Sequence, residues 1–135
     1  MRAYEVIVTE MDDLPGIVCL RLQMPLSFEE SNGDYSPLPM INIAVYDDHL
    51  YLSGLWVPYA MRKERLGSAL MDSAVRWAAA AAYGKVPLML DVRPFGREAP
   101  AVAALRKFYE SFGFQRWPDH PTSMVRWPKG AANEG

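Results

Sequence analysis

The amino-acid sequence predicts an α/β domain built on one mixed, mostly antiparallel sheet with helices on both faces. Three observations lead to that reading. Short apolar runs of strand length alternate with longer stretches whose apolar residues recur at helical spacing. Two pairs of the short runs are joined by brief polar or proline-bearing turns, as in hairpins. Between those pairs lies LYLSGLWVPYAMRKERLGSAL, residues 50–70, where an apolar strand stops at Val57-Pro58, passes a short basic turn and enters a long helix.

In chain order, residues 4–9 alternate and are rich in β-branched side chains, which predicts a first strand. Asp12 or Asp13 can cap a following helix, with Pro15 in its first turn, Leu14, Ile17, Val18 and Leu22 along its apolar side and Pro25 at its end. Residues 26–39 read as irregular. Ser31-Asn32-Gly33-Asp34 is a turn signal, and Glu29, Glu30 and Asp34 make the segment acidic, either a solvated connector or a loop suited to a cationic acceptor. Residues 40–46 and 50–57, separated by Asp47-Asp48-His49, form a hairpin.

The next helix is expected over residues 65–83, with Leu66, Leu70, Ala74, Trp77 and Ala81 on one stripe and Gly84 as its left-handed stop. Residues 87–92 form a short strand, apolar enough for burial on both faces. A last helix begins near Pro100 and buries Ala101, Leu105, Phe108, Tyr109 and Phe112 before Gly113 ends it. A closing hairpin pairs residues 114–117 with 124–127 around Pro118-Asp119-His120-Pro121. Residues 1–128 thus make a single domain, and residues 129–135 a flexible tail.

Half of the 135 residues are apolar, including four Trp and seven Tyr, so the chain can build a core. A net charge of −2 provides no general attraction to nucleic acid or to an anionic membrane. No apolar run approaches the roughly 18 residues that a membrane span needs. With one cysteine, Cys19, an internal disulfide is excluded, and two separated histidines form no metal-ligand cluster. These features fit a cytoplasmic protein without a structural metal.

The basic turn carries the chemistry. Backbone N–H groups at a helix start have no intrahelical acceptor and sit at the positive end of the helix dipole, which suits a phosphate. Arg62, Lys63 and Arg65 add positive charge, Glu64 removes one, and Gly67-Ser68 leaves room for close approach. An ordinary strand-to-helix connection has the same composition, so the turn gains meaning from LMLDVR at residues 88–93 and FYESFGF at residues 108–114.

Together these segments resemble the GCN5-related N-acetyltransferase (GNAT) superfamily, over about residues 6–127. EMDDLPGIVCL, residues 10–20, is similar to the family's first strand and first helix. The resemblance implies a sheet splayed between its fourth and fifth strands. It also implies acetyl-CoA as acyl donor and a primary amine as acceptor, on a small molecule, a peptide N-terminus or a lysine. By the same resemblance Arg62, Lys63, Glu64, Arg65, Leu66, Gly67 and Ser68 occupy the Arg/Gln-x-x-Gly-x-Gly/Ala loop that holds the cofactor pyrophosphate. Leu55, Trp56 and Val57 would meet the pantetheine arm and polarise the thioester carbonyl.

Tyr109 matches the family tyrosine that protonates the departing sulfur; by spacing alone it reads as a core aromatic. Asp91 matches the acidic base in the L-x-L-E-V-R strand of N-terminal protein acetyltransferases. It is one methylene shorter, so its proton transfer would run through a water. By spacing alone Asp91 is a strand-end carboxylate paired with Arg93 or Arg97. Tyr51, Ser53 and His49 are weaker candidates beside the fourth strand.

The sequence departs from the family pattern at Arg65, where glycine is usual. The expectation is a backbone kept at negative φ with the side chain outward. Val102 stands in place of a cofactor-binding asparagine, and residues 94–100 resemble an insertion. These departures sustain an alternative, a catalytically degenerate GNAT-fold binding module acting on a protein partner. A homodimer through the end of the sheet is compatible with the sequence, which does not decide it.

Overall fold

The computed structural model describes residues 3–10, 16–27, 30, 37–80, 85–93, 101–120 and 122–128. Its elements are β1 (Glu5–Glu10), β2 (Ile17–Gln23), β3 (Met40–Val45), β4 (Leu50–Trp56), a 3-10 segment (Tyr59–Glu64), α1 (Leu66–Ala78), β5 (Leu88–Asp91), α2 (Val102–Glu110), β6 (Gln115–Arg116) and β7 (Ser123–Arg126). The seven strands form one sheet in the order β1-β2-β3-β4-β5-β7-β6. Every pairing is antiparallel except β4 with β5, which the α1 crossover makes parallel. Among the described residues no helix is long and apolar enough to cross a membrane.

The helix expected to end at Pro25 is instead strand β2. Val18, Leu20 and Leu22 are 6%, 0% and 0% exposed, a period of two, and β2 is hydrogen-bonded to β1 on one side and β3 on the other. The physical reason is that Ile17, Val18 and Leu22 satisfy either period, and β-branched residues between two ladder partners favour the pleated one. The expected caps Asp12 and Asp13, with Leu14 and Pro15, lie outside the described residues.

Residues 26–39 are not irregular throughout. Glu30 N–H donates to Ser27 Oγ at 3.2 Å, and Ser27 N–H donates to Glu30 Oε1 at 2.9 Å, the reciprocal pair of bonds of a capping box. The turn signal at residues 31–34 lies outside the described residues, as do Ala81, Gly84, residues 94–100, Pro121 and the tail at 129–135.

The core lies between α1 and the middle strands. Leu66, Leu70, Met71, Ala74 and Ala78 of α1 pack against Leu20, Leu22, Ile41, Ile43, Leu50 and Leu52. Each such leucine contributes about 1.5–3 kcal/mol by burial. Met71 and Ala78 widen the expected stripe, whereas Trp77 is only half-buried.

Helix α2 packs more shallowly than expected. Ala101 is exposed at its N-cap, Leu105, Phe108 and Phe112 are partly buried, and Tyr109 is the one buried residue of the helix. The FGF sequence closes it in a Schellman motif. Gly113 at φ +92° donates to the Glu110 carbonyl at 3.0 Å, and Phe114 N–H to the Tyr109 carbonyl at 3.3 Å. The hydrophobic contact that accompanies such a motif is Tyr109 against Phe114, with ring centroids 6.2 Å apart. Helix end and Tyr109 are therefore positioned by the same bonds.

The sheet opens where β4 and β5 part. Their register runs from Leu50–Leu88 to Leu52–Leu90 and stops, although β4 continues to Trp56. On β5 the ladder passes instead to β7, through Asp91–Ser123 and the Val92 N–H bond to the Thr122 carbonyl at 2.6 Å. On β4 the register against β3 slips between Asn42–Ser53 and Met40–Trp56, one extra residue on the β4 side. Gly54, at φ +63°, supplies this bulge, and a Cβ there would meet Asn42 Nδ2 at 3.3 Å.

Candidate functional site

Two cavities flank the parting of β4 and β5. The first, about 390 Å³, lies between the end of β4, the start of α1 and the side of α2. The second, about 360 Å³, is lined by Tyr51, Ser53 and Asp91 from one face of the sheet and by Leu52, Leu90 and Met71 from the other, so it runs through the opening itself. Leu55, Arg93 and Tyr109 line both cavities. The two spaces meet at these three residues.

Of the ten residues expected to hold a cofactor, Leu55, Trp56, Val57, Arg62, Arg65, Gly67 and Ser68 line the first cavity. Leu66 is not among the lining residues; it is 1% exposed and belongs to the core. Glu64 is not on the wall either, and the Lys63 side chain is outside what the structure describes. Three guanidinium groups, Arg62, Arg65 and Arg93, line the space with no carboxylate among its described walls. The local field therefore favours an anion.

Arg65 takes the glycine conformation. Its φ of 58° and ψ of 27° are left-handed, against the expectation of negative φ, because the chain must reverse between the 3-10 segment and α1 at this one residue. A non-glycine residue there costs about 1–2 kcal/mol. The side chain is exposed and lines the cavity without filling it. Helix α1 starts with no side-chain cap, and its Ala69 N–H bonds to the Arg65 carbonyl at 3.3 Å. The Leu66, Gly67 and Ser68 amides thus have no acceptor within the helix. A Cβ on Gly67 would stand 3.6 Å from Phe108 Cζ and 3.7 Å from Val57 Cγ2, ordinary contact at the cavity wall.

The expected open backbone at Leu55 to Val57 is partly engaged. Arg62 Nε donates to the Val57 carbonyl at 3.1 Å while its guanidinium carbon lies 5.5 Å from the Trp56 ring centroid. The arginine therefore braces the end of β4.

Tyr109 is 8% exposed, and burial pushes its phenol up to about 12. Asp91 is held at both oxygens. Ser123 Oγ donates to Oδ1 at 2.7 Å, Tyr51 Oη donates to Oδ2 at 2.8 Å, and Arg93 Nη2 lies 3.5 Å from Oδ2. The Ser123 bond, followed by the Tyr51 bond and the charges of Arg93 and His120, holds the carboxyl below its usual range despite partial burial. Burial and the bond to Asp91 push the Tyr51 phenol up.

Tyr51 and Ser53 thus reach the second cavity, while His49 does not. It is stacked on Tyr46 at 4.7 Å and bonded through Nδ1 to Asp48 Oδ1 at 2.7 Å, at the far tip of the hairpin. Arg93, Leu105 and Phe108 were not assigned to a site from sequence. Leu105 and Phe108 carry the helical spacing of core residues, which hides a cavity-facing role, and Arg93 read only as a partner of Asp91. Ser123 gave no signal, since its place beside Asp91 follows from the β5–β7 register.

Comparison with known proteins agrees with this arrangement. No curated protein matches the chain. Among solved structures, Escherichia coli ElaA is 20% identical with a TM-score of 0.57, over 87% of this chain and 73% of that one. An acyl-CoA N-acyltransferase from Pseudomonas aeruginosa is 17% identical with a TM-score of 0.57, over 85% and 70%. The anti-CRISPR protein AcrVA5 is 19% identical with a TM-score of 0.57, over 82% and 97%. At these identities the likeness is one of fold. The model of the acetyltransferase (GNAT) family matches residues 22–114, which include both walls of the opened sheet and Tyr109, and the chain belongs to that family.

Proposed function

We propose that the protein is an N-acetyltransferase moving the acetyl group of acetyl-CoA to a primary amine by direct attack. The observation that carries this reading is the meeting of two cavities at Leu55, Arg93 and Tyr109. Acyl donor enters from one side and amine from the other. The first cavity fits the donor chemically, with basic residues and first-turn amides that lack an acceptor within α1 for a diphosphate, and apolar Leu55, Leu105 and Phe108 for the arm.

In this reading the loop from Arg62 through Lys63, Glu64, Arg65 and Leu66 to Gly67 and Ser68 holds the pyrophosphate, chiefly by main-chain N–H groups. Leu55, Trp56 and Val57 line the arm. The amine nitrogen attacks the thioester carbonyl carbon, the C–S bond breaks and its electron pair leaves on sulfur. Burial pushes the Tyr109 phenol up to about 12, above the ordinary thiol value of about 8.5, so the phenol tends to keep its proton. Tyr109 therefore serves as a hydrogen-bond donor to the departing thiolate, and the proton that finally rests on sulfur comes from the amine or solvent.

Asp91 lies in the acceptor cavity as an anion. Its low affinity for protons makes it a weak base, and its part is to hold the ammonium and pass a proton through water. Thiol release from acetyl-CoA over a panel of primary amines tests the function. Turnover with one of them supports it; no turnover, together with no heat on mixing with acetyl-CoA, overturns it.

A binding module without turnover is the second reading, favoured by Val102 in place of the asparagine. Val102 is 36% exposed and lines neither cavity, so no contact replaces that asparagine at this position.

A further inference from the structure

The second cavity carries one charge of each sign, close together. Asp91 is fixed by Tyr51 and Ser123, while Arg93, two residues along, is 78% exposed and only 3.5 Å from Asp91 Oδ2. Ile41, Leu52, Leu90 and Met71 make part of the wall apolar, while Tyr51, Ser53 and Tyr109 bring hydroxyl groups to the rest. An ordinary amine answers the carboxylate alone. It also takes that carboxylate from the Arg93 guanidinium, paired with it at 3.5 Å where the cavities meet, and offers no anion in return.

We infer that the acceptor is a free α-amino acid with an apolar side chain, its ammonium set against Asp91 and its carboxylate against Arg93. This rests on the transferase reading above and names its substrate class. Opposite charges 3.5 Å apart match an ammonium and a carboxylate borne on the same carbon, and match poorly a lysine side chain or a peptide N-terminus, whose neighbouring carboxylate is an amide. Guanidinium and carboxylate pair in a planar, two-bonded geometry, so Arg93 would orient the amine as well as attract it. The apolar part of the wall takes the side chain.

The test compares L-leucine, L-leucinamide, 3-methylbutylamine and an N-terminal leucyl peptide as acceptors at one pH, with kcat/KM read from thiol release. The carboxamide loses a neighbouring negative charge and so has the more easily deprotonated amine. Chemistry alone favours it, and only recognition reverses the order. The expected result is a preference for leucine of at least about tenfold. Arg93→Met should bring that ratio to one or below through KM for leucine, and Arg93→Lys should restore part of the preference.

Equal or better turnover of the carboxamide or the peptide overturns the inference while leaving the transferase standing. So does an Arg93→Met variant whose defect lies in KM for acetyl-CoA. Lack of turnover with every amine, with no heat from acetyl-CoA, overturns both.

Discussion

The Tyr51 hydroxyl donates to Asp91 Oδ2 at 2.8 Å across the point where β4 and β5 cease to pair. A side-chain bond thus spans a gap that main-chain bonds have left. It ties the second cavity's anion to the strand whose other end lines the first cavity. It also leaves neither partner a strong base near neutral pH, since Asp91 is held below its usual range and the Tyr51 phenol, held above its own, keeps its proton.

The pH profile should therefore belong to the substrate. His120, whose charge contributes to Asp91, is the further titratable neighbour. With no strong base among Asp91, Tyr51 and Tyr109, log kcat/KM should rise with slope one until the amine's own pKa. The inflection should move between a peptide-like α-amine near about 8 and a lysine-like amine near about 10.4. Profiles for two such amines that break at one common pH would assign a base in the protein instead.

Replacing Tyr109 by Phe keeps the ring packed on Phe114 and removes the hydroxyl that the proposed reaction uses as a donor to sulfur. We expect kcat to fall on the order of 10²-fold with KM for acetyl-CoA within about twofold. Steady-state kinetics in both substrates would decide this, and an unchanged kcat would favour the binding module.

Gly67→Ala separates stability from function. The added methyl makes ordinary contacts with Phe108 and Val57, and alanine is the better helix former, so denaturant midpoints should hold or rise slightly. Titration calorimetry should nonetheless show weaker acetyl-CoA binding, because the methyl stands on the wall of the cavity proposed to take the diphosphate. Unchanged affinity would move the phosphate site elsewhere.

Arg65→Gly relieves a left-handed backbone at the expense of a more flexible unfolded chain. The balance should lie between no change and about 1 kcal/mol of added stability. Acetyl-CoA affinity should fall by about tenfold or less, the loss of one exposed cation near a phosphate. Urea melts and calorimetry on the same sample separate the two effects.

Gly54→Ala should cost about 1–3 kcal/mol, since alanine must take φ +63° and press on Asn42 Nδ2. If the bulge sets the opening, activity at temperatures well below the melt should fall too. A stable, fully active variant would show that the sheet parts without it.

Much of this was legible along the chain because it is local. Strand, basic turn and helix over residues 50–78, the Asp47-Asp48-His49 hairpin and the Gly113 stop are each settled by neighbours within a few residues. The family motifs follow the same segments, so Tyr109 and the Gly67-Ser68 start of α1 could be named in advance.

Other features were decided only by the tertiary structure. Residues 17–23 fit a helix or a strand by their own pattern, and the ladders to β1 and β3 selected the strand. Arg65 became left-handed because two helical segments meet there, overriding its own preference. Asp91 acquired Ser123 and Tyr51, 32 and 40 residues away in sequence, through strand register, which turned a candidate base into a fixed anion. Periodicity and turn chemistry act over a few residues and so can be read from the sequence; cross-strand pairing and the field it creates depend on which distant segments come to lie side by side.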